Sequence, residues 1–238
     1  PISNLFCMKS LVTFLLGLIL CTQAGTAQTA VPIFNSDSTA TAVLLLDFDG
    51  HFMVGTSWNI DGPITLGPAN LNTSQITEVY NRIAEDYRPF SINVTTDSTK
   101  YAAAPATKRM RVMFTISSSW YGNNAGGVAY IGSFTWGDNT PCFVFTALLG
   151  YNVKYISEAA SHEAGHTLGL RHQSSYDPNC VKTNEYNYGT GNGATGWAPI
   201  MGVGYYQNST TWHNGPNPYG CTNTQQDLNV ITQRLPFK

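Results

Sequence analysis

The 238-residue chain carries 12 Lys+Arg against 14 Asp+Glu, a formal net charge of −2. That balance argues against a nucleic-acid partner, which needs a basic face to neutralise phosphates. Only 11% of the residues are charged and 42% are hydrophobic, with 13 Tyr, 11 Phe and 5 Trp. Disordered chains lean the opposite way, so a packed core is expected, in one domain or two small ones.

Residues 1–7 precede Met8 and are expected to be an upstream remnant outside the fold. Met8-Lys9-Ser10, the apolar run 11–20 and an exit through the small residues Gly25 and Ala27 describe a secretory signal peptide over 8–27, cleaved after Ala27. The apolar run is short for a membrane span, which takes about 20 residues. An N-terminal anchor helix is the alternative. Lipoprotein anchoring through Cys21 is disfavoured because Leu20 is bulky. Residues 28–42 read as a short, flexible leader.

Residues 42–48 are apolar and branched and stop at Asp49-Gly50, the pattern of a buried strand. Asn72-Thr73-Ser74 offers a cap to a helix with Ile76, Val79, Tyr80, Ile83 and Tyr87 on one stripe, ended by Pro89. Further strands are predicted at 91–96, 110–116, 126–132 and 142–146. A second helix is predicted at 154–170. Residues 174–222 are rich in Asn, Gly, Tyr, Ser and Pro and show no period, so they read as irregular. Thr224 is the predicted cap of a last helix, 225–235, with Asp227 in its first turn. The class is α+β in two unequal halves, 43–169 and 170–238.

With Cys7 and Cys21 outside the mature chain, Cys142, Cys180 and Cys221 remain. Cys180 and Cys221 lie in loop-like sequence and are the expected disulfide. Cys142, inside Cys142-Phe143-Val144-Phe145, is expected to be a buried thiol. Asp47 and Asp49 form a carboxylate pair able to hold a calcium ion, although a strand end followed by a turn accounts for them equally. His213 stands without a partner motif and reads as a loop residue.

The segment His162-Glu163-Ala164-Gly165-His166-Thr167-Leu168-Gly169-Leu170-Arg171-His172 holds three of the chain's five histidines. His162 and His166 are four apart, so on a helix both rings leave one face. Gly169 suits a sharp helix end, after which His172 can return as a third nitrogen ligand. Three neutral imidazoles with one open position suit a catalytic zinc ion rather than a closed structural site. Glu163 adjoins the ligands without belonging to them.

These eleven residues resemble the extended zinc signature of the metzincin metallopeptidases. Ala198-Pro199-Ile200-Met201-Gly202-Val203-Gly204 is similar to the methionine turn of that clan. The stretches around Ala84-Glu85-Asp86-Tyr87-Arg88-Pro89-Phe90, Gly126-Gly127-Val128-Ala129-Tyr130 and Thr224-Gln225-Gln226-Asp227-Leu228 resemble a bacterial, reprolysin-like branch. The resemblance covers residues 43–235.

It implies a metzincin-like zincin in which residues 43–238 form one catalytic domain. A mixed five-stranded sheet would lie beneath the active-site helix, above an irregular lower subdomain with a C-terminal helix. It implies zinc on His162, His166 and His172, Glu163 as general base, and Met201 beneath the metal. Gly127, Val128, Ala129 and Tyr130 would form an edge strand that pairs with substrate, as an unpaired strand edge does with an extended peptide. Tyr205 and Tyr206 are candidates for the pocket. The family's tyrosine position two residues after the methionine holds Val203, and Gln173 stands where adamalysin-type sequences have Asp. Phe34-Asn35-Ser36-Asp37 is similar to the aspartate switch of astacin-like zymogens, which would make Asp37 a latency residue. The activity implied is a secreted, monomeric, zinc-dependent endopeptidase acting on polypeptides, with no stable membrane insertion once the signal is removed. The alternative is a zinc-retaining, non-catalytic polypeptide-binding or adhesion module. A third reading is a fragment of a longer enzyme.

Overall fold

The computed structural model describes residues 30–238. The expected upstream remnant, signal segment and Cys21 lie outside the described residues. In chain order the upper half contains β1 (Ala42–Asp47), β2 (His51–Met53), β3 (Ile64–Leu66), α1 (Thr73–Asp86), β4 (Ile92–Thr95), α2 (Ser98–Ala103), β5 (Arg109–Thr115), β6 (Gly127–Val128), β7 (Cys142–Phe145) and α3 (Val153–Thr167). The lower half contains β8 (Ser175–Tyr176), β9 (Lys182–Asn184), β10 (Trp197–Pro199), β11 (Ser209–Thr211), β12 (Asn214–Pro216), β13 (Thr224–Gln226) and α4 (Asp227–Thr232).

A mixed five-stranded sheet has the order β4-β1-β5-β7-β6. Its first four strands are parallel, and β6 runs antiparallel along β7 at one edge. Successive residues of a strand point to opposite faces. On one face Leu44, Leu46, Val112, Phe114, Cys142 and Val144 pack with α1 and α3. On the other, Val43 and Leu45 meet Tyr101 of α2, while Met113, Phe143 and Phe145 meet the β2–β3 hairpin and Trp58 and Trp120. Strands buried on both faces read as unbroken apolar runs, which is why β1 and β7 are nearly free of polar residues.

Helix α1 starts at Asn72 in a reciprocal capping box. The Gln75 amide N–H donates to Asn72 Oδ1 at 2.9 Å, and the Asn72 amide N–H donates to Gln75 Oε1 at 3.0 Å. Its stripe of Ile76, Val79 and Ile83 is buried, each side chain contributing about 1.5–3 kcal/mol of burial. A charged residue at Val79 would break this face. Helix α3 is capped by Asn152 and stops at Leu168, followed by Gly169 at φ 100°. The left-handed turn reverses the chain, as the glycine suggests.

Several expectations are corrected. The strand expected over 126–132 is ordered as strand only at Gly127–Val128, because Gly132 turns at φ 81° into a short 3-10 turn, Ser133–Thr135. The last helix begins at Asp227 rather than 225, and its cap is Gln226 rather than Thr224, because Thr224–Gln226 is consumed as β13 against β12. The segment before β1 is packed, not loose. Phe34 stacks on Tyr80 with ring centroids 4.5 Å apart, and Ser36 N–H donates to Val94 C=O at 3.0 Å. The stretch read as irregular holds two short ladders, β8–β9 and β10–β11, and strand β12, which pairs with β13 just beyond it, all too brief to show a period.

Candidate metal centre

Helix α3 brings His162 and His166 to one face, with ring centroids 4.7 Å apart. The turn at Gly169 returns the chain, and the His172 ring lies 5.3 Å from His162 and 4.9 Å from His166. One ligand atom from each ring lies within 4.8 Å of the others.

The remaining ring nitrogens decide which atoms can ligate. His162 Nδ1 lies 2.8 Å from Ile200 C=O, His166 Nδ1 lies 2.8 Å from Leu170 C=O, and His172 Nδ1 lies 2.9 Å from Glu185 Oε1. A carbonyl oxygen only accepts, so Nδ1 carries the proton in His162 and His166, and Nε2 is left with its lone pair. Burial pushes the His162 ring well below its ordinary pKa and His166 down to about 4. Both therefore stay neutral, the form that binds metal. Three Nε2 atoms converging with their outer nitrogens already satisfied fit a zinc ion.

Glu163 sits between the ligands and the sheet edge. It is buried, and burial raises its carboxyl to about 8. Gly127 of β6 lies against it. A Cβ added there would stand 2.7 Å from Glu163 Cγ and 2.6 Å from Phe143 O, so a side chain at 127 would force the edge strand away from the carboxylate. A cavity of about 260 Å³ opens beside the histidines between the loop 124–127, α3 and the segment 202–205.

Met201 is fully buried. Its Sδ lies 2.7 Å from where a Cβ on Gly165 would be, between the two helical ligands. The turn around it is clamped by backbone bonds: Gln173 N–H to Met201 C=O at 2.8 Å, Asn187 N–H to Gln173 C=O at 2.7 Å, and Val203 N–H to Asn187 C=O at 2.9 Å. Gln173 is itself buried. Its amide donates to Asp227 Oδ1 at 3.0 Å and to His213 C=O at 2.9 Å. Asp227 also accepts from Gln225 Nε2 at 2.9 Å and His213 N–H at 3.0 Å. Burial nevertheless raises its carboxyl to about 6. The C-terminal helix thus braces the chain next to His172 through Gln173.

The other expected site residues are placed as follows. Val128 continues the edge strand. Ala129 packs toward the core, and the Tyr130 ring turns onto Trp58 at 4.1 Å, with its hydroxyl donating to Ser57 C=O at 3.2 Å. Tyr205 lines the cavity, whereas Tyr206 is 77% exposed. Asp37 is not brought to the histidines. Its carboxylate pairs with Lys238 at 3.1 Å and accepts from the Thr39 N–H and hydroxyl at 3.1 and 2.7 Å, while its N–H donates to Asn93 Oδ1 at 3.1 Å in β4, the sheet edge opposite β6. Asp47 pairs with Arg111 at 3.1 Å, and burial, with Asp49 beside it, pushes its carboxyl up to about 7. A guanidinium there opposes a cation. Cys180 and Cys221 are disulfide-bonded across 41 residues, and Cys142 is a buried thiol. The His213 ring packs edge-on to Trp197 at 4.9 Å.

Two residues beside the site were missed from sequence. Glu185 holds His172. Tyr186 packs its ring 4.4 Å from His172 and lines the cavity. Both come from a segment with no periodic signal, and nothing in the spacing marks them.

A mixed five-stranded sheet beside a helix that carries two of three clustered histidines is consistent with a metzincin-like fold. In agreement, residues 70–173 match the metallo-peptidase family M12B reprolysin-like model, from the approach to α1 through the third histidine. No significant match is found among curated proteins.

Proposed function

We propose that the chain is a secreted endopeptidase that hydrolyses peptide bonds by general-base catalysis at this centre. What supports the reading is the cluster of His162, His166 and His172 beside a cavity lined by His162, Glu163 and Gly127 of β6. The Cys180–Cys221 disulfide fits an oxidising compartment. No helix among the described residues is long and apolar enough to cross a membrane.

Zinc, when bound, supplies a Lewis acid that makes a water nucleophilic near neutral pH and polarises a carbonyl. An extended substrate adds to the open side of β6 through main-chain hydrogen bonds, which lays its backbone beside Glu163. A dication on the three histidines would favour the ionised form of Glu163 against its burial, and that carboxylate takes a proton from the attacking water and passes it to the leaving amine nitrogen. Burial, with Glu163 nearby, raises the Tyr186 and Tyr205 hydroxyls above their ordinary pKa. Both stay protonated at neutral pH and line the cavity, where a hydroxyl donor would stabilise a developing oxyanion.

The test is cleavage of casein and of internally quenched peptides by the purified protein, with and without a chelator and after zinc is restored. Chelator-sensitive cleavage restored by zinc is expected. Zinc retention without any cleavage would leave the polypeptide-binding module instead.

A further inference from the structure

The cavity beside the histidines has an acidic group that the hydrolytic chemistry does not use. Glu158 precedes His162 by four residues, so it extends the ligand face of α3 by one turn. It lines the cavity together with Ala125, Ala159, Ile200, Val203 and Gly204, and no lysine or arginine lines it. The Glu158 side chain is only 11% exposed. A carboxylate this buried needs hydrogen-bond donors around it.

Those donors approach one oxygen. Lys154 Nζ lies 2.9 Å from Glu158 Oε1, and the Thr210 hydroxyl donates to the same oxygen at 3.2 Å. The Lys154 ammonium is shared with Gly204 C=O at 2.9 Å, which holds it on the wall. Oε2 turns toward Gly204, where a Cβ would lie 3.0 Å away. The absence of a side chain at 204 leaves that oxygen uncovered by the wall segment. Ala125, Ala159, Ile200 and Val203 give the cavity a small aliphatic side, along which a long aliphatic stem fits while its polar end reaches the carboxylate.

We propose that Glu158 makes this cavity the specificity pocket for a residue adjacent to the scissile bond, and that it selects a basic side chain, lysine or arginine. The inference rests on the peptidase reading and deepens it. Lys154 tempers the selection, because its ammonium competes for the same carboxylate.

Cleavage-site profiling of a peptide library with the zinc-loaded protein reads the proposal. One position flanking the cut bond is expected to be enriched in Lys and Arg. For matched peptides with lysine or norleucine at that position, Glu158→Gln should lower the lysine-to-norleucine ratio of kcat/KM by tenfold or more. Lys154→Met should raise it, a change that a purely structural role for the pair would not produce. A flat profile in the wild-type protein, or an unchanged ratio in both variants, overturns the assignment. A second readout does not depend on turnover. Zinc-chelating peptide hydroxamates carrying a lysine or a norleucine side chain are titrated into the zinc-loaded Glu163→Ala protein. Tighter binding of the lysine compound supports the pocket even if the protein cuts nothing, and equal binding of the two rejects it.

Discussion

His172 and Glu185 meet through a 2.9 Å hydrogen bond between the imidazole Nδ1 and Oε1, while Lys182 Nζ holds Oε2 at 2.6 Å. The other two ligands are oriented by backbone carbonyls, so this is the one ligand whose outer partner is a side chain. Glu185→Ala should weaken zinc binding by about 10–100-fold, measured by competition with a chromophoric chelator. Unchanged affinity would mean that packing against Tyr186 alone orients the ring.

Glu163 adjoins two ligands without being one. Glu163→Ala should keep one zinc per chain and lower kcat by about 10²–10⁴-fold, the range of general-base contributions. Metal content by atomic absorption and turnover on a quenched peptide check this together. Turnover within a factor of two of wild type would remove the base from the mechanism.

Met201 and Gly165 are in close contact, since a Cβ at 165 would approach Sδ to 2.7 Å. Gly165→Ala should destabilise the protein by about 1–3 kcal/mol through overpacking. The double variant Gly165→Ala/Met201→Ala should recover part of the loss relative to the sum of the single effects. Urea unfolding midpoints of the three variants give the coupling. Additive losses would place the methionine elsewhere.

The Cys180–Cys221 bridge closes a loop of 41 residues, worth about 4 kcal/mol in the chain-entropy account. Cys180→Ser/Cys221→Ser should lower the unfolding midpoint and lose its response to a reductant, which the wild-type protein should retain.

Asp86 lies under Trp212 and accepts from the Ser161 hydroxyl at 2.6 Å, and burial raises its carboxyl from 3.8 to about 7. Below pH 4 both folded and unfolded states hold the proton, so Asp86 has no effect on stability. Between about 4 and 7 only the folded state holds it, so stability falls as pH rises, and the full penalty applies above 7. Asp86→Asn removes this dependence and should match wild type at pH 4 but exceed it at pH 8. Thermal unfolding midpoints across that range check the sign. A constant difference would show that the carboxyl ionises freely in the fold.

Much of this protein is written locally. The three-histidine cluster could be read from eleven consecutive residues because a helix sets a four-residue spacing on one face and a glycine turn sets the return of His172. The strands β1, β5 and β7 were legible because burial on both faces leaves unbroken apolar runs, and α1 because its stripe matches the helical period. The boundaries of β6 and α4 were not. Gly132 ends one strand where the apolar pattern continues, and β12 claims residues 224–226 for a ladder that no local period announces.

What the sequence by itself determined was the helix that carries His162 and His166 and the buried strands β1, β5 and β7, because each depends on contacts within a turn of helix or along one strand. Only the tertiary structure decided that Glu185 and Tyr186 flank His172, that Gly127 lies against Glu163, and that Asp227 braces Gln173. Those contacts join segments from 13 to 54 residues apart. Chain folding over such distances is set by the packing of the whole core, and no short-range spacing records it.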